Sequence, residues 1–97
     1  MATLSEVEVQ ERLADLDGWD LAAGDGPPSI EREFEFADFA AALAFVNRVG
    51  ELAEAAGHHP DILLHGWNKV RLTLSTHSQA GLTEADFGLA GQIDGLA

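Results

Sequence analysis

Cysteine is absent from the sequence. A chain without cysteine forms no disulfide bond, offers no thiolate ligand to zinc and carries no thiol nucleophile. The absence therefore excludes disulfide-stabilised scaffolds, cysteine-ligated zinc modules and the enzymes that attack their substrates through a thiolate. Any catalytic or metal site in this chain must be built from other side chains.

Basic residues are scarce: five lysines and arginines stand against 17 aspartates and glutamates, which gives a formal net charge of −12. Lys69 and Arg71 lie close together, whereas Arg12, Arg32 and Arg48 are scattered. Proteins bind a phosphate backbone through clustered lysines and arginines. The composition therefore argues against nucleic acid, anionic membranes and heavily phosphorylated cofactors as direct ligands, and it is compatible with a neutral or weakly polar small molecule.

Long apolar runs are also missing. No uncharged apolar stretch approaches the roughly 18 residues that a membrane helix needs. The segment Met1–Leu16 carries acidic residues where a signal peptide carries basic ones. We therefore expect a soluble cytoplasmic protein that does not associate with membranes.

The chain has 97 residues, of which 46 % are hydrophobic. This is enough apolar material for a core, in a chain near the size at which one core is adequate. We predict a single domain over residues 1–97. Because a domain this small leaves much of its apolar surface uncovered, we also expect self-association.

Three segments carry helical patterns with clear start or stop signals. Ser5 and Glu8 form a capping box, in which the hydroxyl and the carboxylate each bind a free backbone amide, and Thr83 and Asp86 repeat the arrangement. Gly57 supplies a C-terminal stop. The predicted helices are Leu4–Leu16, Asp38–Ala56 and a last helix that runs from the Thr83 cap to about Leu96.

Four shorter segments alternate between apolar and polar residues, which indicates strands with one face in water. In Ile30–Phe36 every second residue is a glutamate, and the Gly-Asp-Gly-Pro-Pro segment at 24–28 predicts a turn before it. Hairpin-like connections favour an α+β fold, with a four-stranded antiparallel sheet and three helices packed on one face. The predicted strands are Trp19–Leu21, Ile30–Phe36, Ile62–Leu64 and Val70–Thr76.

All four histidines fall between positions 58 and 77. His58 and His59 lie at the predicted end of the second helix, where the helix dipole favours a cation. Pro60 disfavours helical geometry at His59, so the two rings are able to flank a ligand. His77 ends the fourth strand, and the hairpin of the third and fourth strands returns it to the paired histidines. His65 lies nearer the turn, and we interpret it as a surface residue.

Simpler explanations exist for each of these histidines. A cation at a helix terminus accounts equally well for His58 and His59, and a lone histidine at a strand end, such as His77, is more often a surface residue. Three imidazoles are also able to bind zinc. The sequence lacks the i, i+4 helical pair and the His-x-His strand pair of such sites, so we predict no metal.

Three further residues near the histidines also need an interpretation. Glu54 lies one helical turn before His58 and is placed to orient that imidazole, although an exposed helix carboxylate is the simpler interpretation. Asp86 is explained by its role as a helix cap alone. Trp67 lies near a turn and suits the core, an interface or the wall of a site for an aromatic ring.

The segment Glu54-Ala55-Ala56-Gly57-His58-His59-Pro60, followed by Trp67, His77 and Asp86, resembles the signature of the pterin-4a-carbinolamine dehydratases. The segments 67–77 and 80–83 are also typical of that family. The resemblance is close over residues 54–94, and upstream of residue 54 only the pattern of residue types matches. It is specific because several motifs match at fitting intervals, whereas a lone His-His-Pro would not be specific.

The resemblance implies a hydro-lyase that dehydrates 4a-hydroxytetrahydropterin to quinonoid dihydropterin in tetrahydropterin recycling, as a homodimer or homotetramer without a cofactor. The family's catalytic residues carry over onto His58, His59 and His77. Our hypothesis is that His58 and His77 exchange protons with the 4a-hydroxyl, while His59 holds and polarises the pterin. The residues that we expect against the substrate are Glu54, Pro60, Trp67, Ser75 and Thr76.

Two positions depart from the pattern of many members. Gly57 stands where an aspartate precedes the paired histidines, and Ile62 stands where an aromatic follows the proline. The first departure removes a carboxylate that would orient an imidazole, and the second thins the wall against the pterin.

Two rival functions remain: a non-catalytic protein-binding module of the same fold, acting as a transcription cofactor or a carboxylase assembly factor, and a metal-binding domain. The complete histidine set favours the enzyme.

Overall fold

A computed structural model describes residues 2–24 and 26–96 of the chain. Its elements follow the predicted order of helix, two strands, helix, two strands, helix. Asp25, in the predicted turn at 24–28, lies outside the described residues, as do Met1 and Ala97. The elements are α1 (Glu6–Ala14), β1 (Asp20–Leu21), β2 (Ile30–Glu35), α2 (Phe39–Ala56), β3 (Asp61–His65), β4 (Lys69–Leu74) and α3 (Glu84–Asp94).

The helix ends with a capping signal lie where the sequence placed them, whereas α1 ends at Ala14 rather than Leu16 and α3 ends at Asp94 rather than Leu96. At α1 the Glu8 backbone N–H donates to the Ser5 hydroxyl over 3.2 Å, and the Ser5 N–H donates to the Glu8 carboxylate over 3.0 Å. Thr83 and Asp86 form the second capping box at α3. Gly57 ends α2 with φ +63°, a left-handed conformation that glycine adopts without steric cost. Within the described part of the chain, no helix is long and apolar enough to cross a membrane.

The four strands form one antiparallel sheet in the order β1-β2-β4-β3. In its central register Phe34 lies opposite Val70, and Val70 lies opposite Leu64. At the other end of the hairpin, Asp61 lies opposite Thr73. The fold class is therefore confirmed, and β1 and β3 form the two edges of the sheet.

In the two central strands, β2 and β4, the buried residues lie on one face, as a sheet covered on one face requires. In β4 the buried residues are Val70, Leu72 and Leu74, while Arg71 between them is exposed. The helices pack on the buried face. The core formed there contains Val9, Trp19, Ile30, Phe34, Ala42, Phe45, Val49, Val70, Leu72, Leu74, Leu82, Phe87, Leu89, Ala90 and Ile93.

A half-buried polar cluster joins α3 to the chain before β1. Trp19, which is buried, donates its indole N–H to Asp94 over 2.9 Å, and Arg32 donates to the same oxygen over 2.8 Å. The Trp19 ring also lies edge-on to Phe34, with 6.4 Å between the ring centroids. This cluster holds the C-terminal end of α3 against the sheet.

The end of β4 differs from the prediction. The strand was expected to reach Thr76 with His77 at its end, but it stops at Leu74. The Thr76 backbone N–H donates to the Gly81 carbonyl over 2.8 Å, so the chain turns back on itself instead of continuing along the sheet. His77 therefore begins a 3-10 helix, His77–Gln79, rather than ending a strand.

Candidate active site

The C-terminal end of α2 presents the paired histidines in two different environments. The Gly57 N–H donates to the Glu54 carbonyl and the His58 N–H to the Ala53 carbonyl, which closes the helix with a left-handed turn. Beyond this turn the His58 side chain is 14 % exposed and that of His59 is 63 % exposed. The two rings therefore do not project alike: His58 lies against the protein and His59 lies in solvent.

His58 is held by a buried carboxylate. Its Nε2 lies 2.6 Å from Oδ1 of Asp86, a residue that is completely buried. The other carboxylate oxygen accepts hydrogen bonds from the Thr76 hydroxyl and from the Thr83 backbone N–H, each over 2.9 Å. A carboxylate only accepts hydrogen bonds. His58 therefore donates through Nε2, and its Nδ1 is the ring nitrogen that remains for a ligand.

Asp86 thus connects three separate parts of the chain: the start of α3, the segment after β4 and the end of α2. Its interpretation as a helix cap is correct but incomplete, because the capping carboxylate also positions His58. Sequence reasoning missed this second role. The available signal was the position of Asp86 as the last member of the family signature.

The other paired histidine has its own carboxylate. Nε2 of His59 lies 2.5 Å from Oε2 of Glu54, and both side chains are exposed. The sequence suggested that Glu54 would orient His58, and the structure pairs it with His59 instead. The reason is the left-handed turn at Gly57, after which His58 reaches Asp86 and His59 lies beside the last turn of α2.

The β3–β4 hairpin brings the segment before His77 to the paired histidines. Asp61 lies opposite Thr73, so the same register extended outward places His58 level with Thr76. The shared contacts of His58 and Thr76 with Asp86 agree with this extension. The structure therefore gathers the segments 58–60 and 75–77, which contain Pro60 and Ser75, both half-buried, and the exposed His77.

Trp67 lies at the other end of the hairpin. It belongs to the turn between His65 and Lys69, has φ +60° and is 61 % exposed. At about 3.3 Å per residue, the four steps from Asp61 to His65 span about 13 Å. Within one chain, Trp67 is therefore not brought to His58 and His59.

His65 also lies near the turn, where the sequence placed it on the surface. Its side chain is 34 % exposed and its Nε2 lies 2.5 Å from the Glu33 carboxylate. This hydrogen bond lowers the pKa of Glu33 below its ordinary value, and the charges of His65 and Arg71 act in the same direction. His65 belongs to a surface ion-pair group and not to the site at Asp86.

The chemistry available at the site is proton transfer. A carboxylate-anchored imidazole, His58, lies beside a second imidazole that is paired with Glu54, and His77 follows the residue that shares the anchor. Histidine exchanges protons near neutral pH and is suited to general acid and base catalysis. Over residues 2–24 and 26–96, no group of three or more His, Cys, Asp or Glu side chains is arranged to hold a metal ion.

Comparison with known proteins identifies relatives over nearly the whole chain. The model of the family "Pterin 4 alpha carbinolamine dehydratase" matches residues 2–96. A protein of Acidobacterium capsulatum named as a candidate pterin-4-alpha-carbinolamine dehydratase is 54 % identical over 96 residues, with 99 % of each chain covered. A similarly named protein of a Roseiflexus species is 52 % identical over 95 residues, with 97 % of each chain covered.

Solved structures with the same fold carry two kinds of description. A transcriptional coactivator/pterin dehydratase from Brucella melitensis superposes with a TM-score of 0.90 at 38 % identity and covers 98 % of both chains. A pterin dehydratase-like protein described as a RuBisCO assembly factor in the alpha-carboxysome superposes with a TM-score of 0.68 at 30 % identity. That match covers 82 % of this chain and 89 % of the other.

Proposed function

Because the chain belongs to the pterin-4a-carbinolamine dehydratase family, we propose that it dehydrates 4a-hydroxytetrahydropterin to quinonoid dihydropterin in tetrahydropterin recycling. The observation that carries the proposal is the contact of His58 with the buried Asp86. A buried carboxylate that binds an imidazole at the edge of the protein is a common arrangement of acid–base sites.

The reaction consists of two proton transfers around one bond cleavage. The C4a–O bond breaks as the hydroxyl receives a proton and leaves as water. The ring nitrogen beside C4a loses its proton, and the electron pair released forms the C=N bond of the product. No electrons leave or enter the pterin, so the proposal assigns no redox cofactor.

His58 is the best-positioned proton carrier. Asp86 fixes the orientation and the tautomer of the imidazole through Nε2, which leaves Nδ1 to exchange a proton with the substrate. We assign proton exchange with the 4a-hydroxyl to His58 and His77. Asp86 is a positioning residue, since it acts on the substrate only through His58.

His59 binds and polarises the pterin in this proposal. It is exposed, and its Nε2 lies 2.5 Å from the adjacent Glu54 carboxylate, which orients the ring. Pro60 and Ser75 lie on the two segments gathered around His58 and are assigned to the substrate wall. Thr76 is assigned to the same wall as a neighbour of His58, although its hydroxyl is bound to Asp86 and its backbone N–H to the Gly81 carbonyl.

A second candidate function, protein binding without catalysis, is supported by one surface feature. Phe39 and Leu43 are 50 % and 44 % exposed and lie four residues apart on α2, which places them on the same face of the helix. Exposed apolar side chains of this kind suit a protein contact. The intact carboxylate-anchored imidazole favours the enzyme as the primary function.

The test is a stopped-flow assay of dehydration with freshly formed 4a-hydroxytetrahydropterin. We expect the wild type to accelerate the reaction above the spontaneous rate, and His58→Ala and His77→Ala to lower kcat by about 100- to 10,000-fold. His59→Ala should act mainly on KM. The matched control is His65→Ala, a histidine outside the site, which should retain wild-type kinetics.

Each variant must first show the circular dichroism spectrum and cooperative thermal unfolding of the wild type. No acceleration by the wild type would eliminate the dehydratase and favour the protein-binding function. A loss in His65→Ala equal to that in His58→Ala would eliminate the assignment of the site.

A further inference from the structure

A groove separate from the histidine site runs along α1. It encloses a volume of about 900 Å³ between α1, Leu21 at the end of β1, Pro28 and residues 79–82. Of the described residues that line it, none is a histidine, and Asp86 is not among them. Small-molecule sites enclose about 300 to 1,000 Å³, so the groove is large enough to hold a ligand of its own.

Two exposed apolar side chains line this groove. Val7 is 69 % exposed and Leu21 is 44 % exposed. Val9 and Leu82, which belong to the buried core, also line it, so the groove reaches down to the core. Its apolar surface lies open to water, and a ligand that covers this surface gains the free energy of removing it from water.

The outer face of α1 sets a central stripe between two carboxylates. At about 100° per residue, Val7, Gln10 and Ala14 share one face of the helix. Glu6 and Glu11 lie on the two sides of that face. All five residues line the groove. The groove therefore combines an apolar surface with acidic groups along its length.

The groove has no positive charge to balance these carboxylates. Among the described residues that line it there is no lysine or arginine. Arg12, the one basic residue of α1, forms an ion pair with Glu84 at the start of α3. Glu6 and Glu11 therefore repel fatty acids and phosphorylated molecules, and charge complementarity favours a cationic ligand.

The walls of the groove are held in place by the chain before α1. The Leu4 backbone N–H donates to the Leu82 carbonyl over 2.8 Å. The Thr3 side chain packs on Gly81, where an added Cβ would lie only 3.1 Å from the Thr3 methyl group. The two sides of the groove are thus joined in the free protein, so a ligand does not have to order them.

We propose that this groove is a binding site for an amine with an elongated apolar body. The body covers Val7 and Leu21, and the ammonium group lies beside the carboxylate of Glu6 or Glu11. The inference goes beyond the proposed function and does not depend on it, because the groove and the histidine site are lined by different side chains.

Decylamine is the probe that tests the site. The face of α1 from Glu6 to Ala14 is about 12 Å long at 1.5 Å per residue, which matches an extended ten-carbon chain. Below its critical micelle concentration, decylamine should shift the nitrogen-15 NMR resonances of Val7, Gln10 and Leu21 and saturate at one molecule per chain. Decanoate, which has the same length and the opposite charge, should bind about 5- to 30-fold more weakly.

Charge variants separate local attraction from the overall charge of the protein. Glu6→Gln combined with Glu11→Gln should weaken the binding of decylamine about 3- to 30-fold. The matched control combines Glu35→Gln with Glu51→Gln, which removes the same charge from exposed positions on β2 and α2. This control should change the affinity by less than about 2-fold, because the distant charges are screened by salt.

A steric variant tests the groove without changing its charge. Ala14 is exposed and lines the groove, so Ala14→Trp places an indole in the space assigned to the apolar chain. We expect this variant to keep the circular dichroism spectrum of the wild type and to lose the binding of decylamine by more than about 10-fold. Unchanged affinity in Ala14→Trp would overturn the inference.

Three other results would also overturn it: equal affinity for decylamine and decanoate, equal loss in the two charge variants, or shifts centred on Phe39 and Leu43 instead of the groove. Shifts of the groove resonances that depend on protein concentration without decylamine would identify a second copy as the occupant and would eliminate the amine site. None of these measurements uses a pterin. An inactive wild type would therefore leave the groove proposal intact, and the absence of amine binding would leave the dehydratase intact.

Discussion

Replacing Asp86 with asparagine separates its role toward His58 from its role as a helix cap. The amide keeps the size of the carboxylate, and its oxygen is able to accept the bonds from Thr76 and the Thr83 N–H. Its NH2 group then faces Nε2 of His58, which was itself a donor. The imidazole must give up this bond or move its proton to Nδ1.

The expected loss is that of a charge-assisted hydrogen bond, about 1.5 to 3 kcal/mol. If this bond stabilises His58 during proton transfer, Asp86→Asn lowers kcat/KM by about 10- to 150-fold. Nitrogen-15 NMR should show the His58 proton on Nε2 in the wild type and on Nδ1 in the variant.

The matched control is Thr83→Ala. It removes the hydroxyl that accepts from the Ala85 N–H over 3.2 Å and is hydrogen-bonded to the Thr76 hydroxyl over 2.8 Å, and it leaves the bond between Asp86 and His58 in place. Loss of such a cap costs about 0.5 to 2 kcal/mol of stability. We expect Thr83→Ala to lower Tm and to keep its activity. Wild-type kinetics in Asp86→Asn, or an equal loss of activity in both variants, would refute the reasoning.

Three further predictions concern stability. Gly57→Ala should lower the free energy of unfolding by about 1 to 2 kcal/mol, since φ is +63° there, whereas Gly57→Asn should cost less; chemical denaturation measures both. Trp19→Phe removes the hydrogen bond to Asp94 and should cost about 1 to 2 kcal/mol, which lowers Tm by several degrees in calorimetry; an unchanged Tm would contradict this. The pKa of Glu33 lies below its ordinary value of 4.5 because His65 donates to it, so this stabilisation is complete above that value and is lost as the pH falls through the folded pKa. Glu33→Gln should therefore lose less Tm than the wild type between about pH 5 and pH 3, and equal losses would contradict the pairing.

The features that were predictable from the sequence are those that local chemistry determines. The capping boxes at Ser5 and Thr83 and the left-handed Gly57 depend on residues within a few positions, and all three are present in the structure. The alternation in β2 and β4 likewise fixed which side chains face the helices.

The features that were missed depend on contacts between distant segments. Asp86 and His58 are 28 residues apart, and no local sequence pattern predicts the hydrogen bond between them. The pairing of Glu54 with His59 follows from the turn at Gly57, and the early end of β4 follows from the bridge between Thr76 and Gly81. Each of these features depends on the backbone conformation just after a helix or strand ends. The apolar periodicity within that helix or strand does not encode this conformation.

The most direct test of the central claim is the slope of the dehydration rate against protein concentration in the stopped-flow assay. A carboxylate-anchored imidazole that catalyses the reaction predicts a steep slope for the wild type and a slope near zero for folded His58→Ala. A zero slope for the wild type would contradict the dehydratase, and equal slopes for the two proteins would contradict the role of His58.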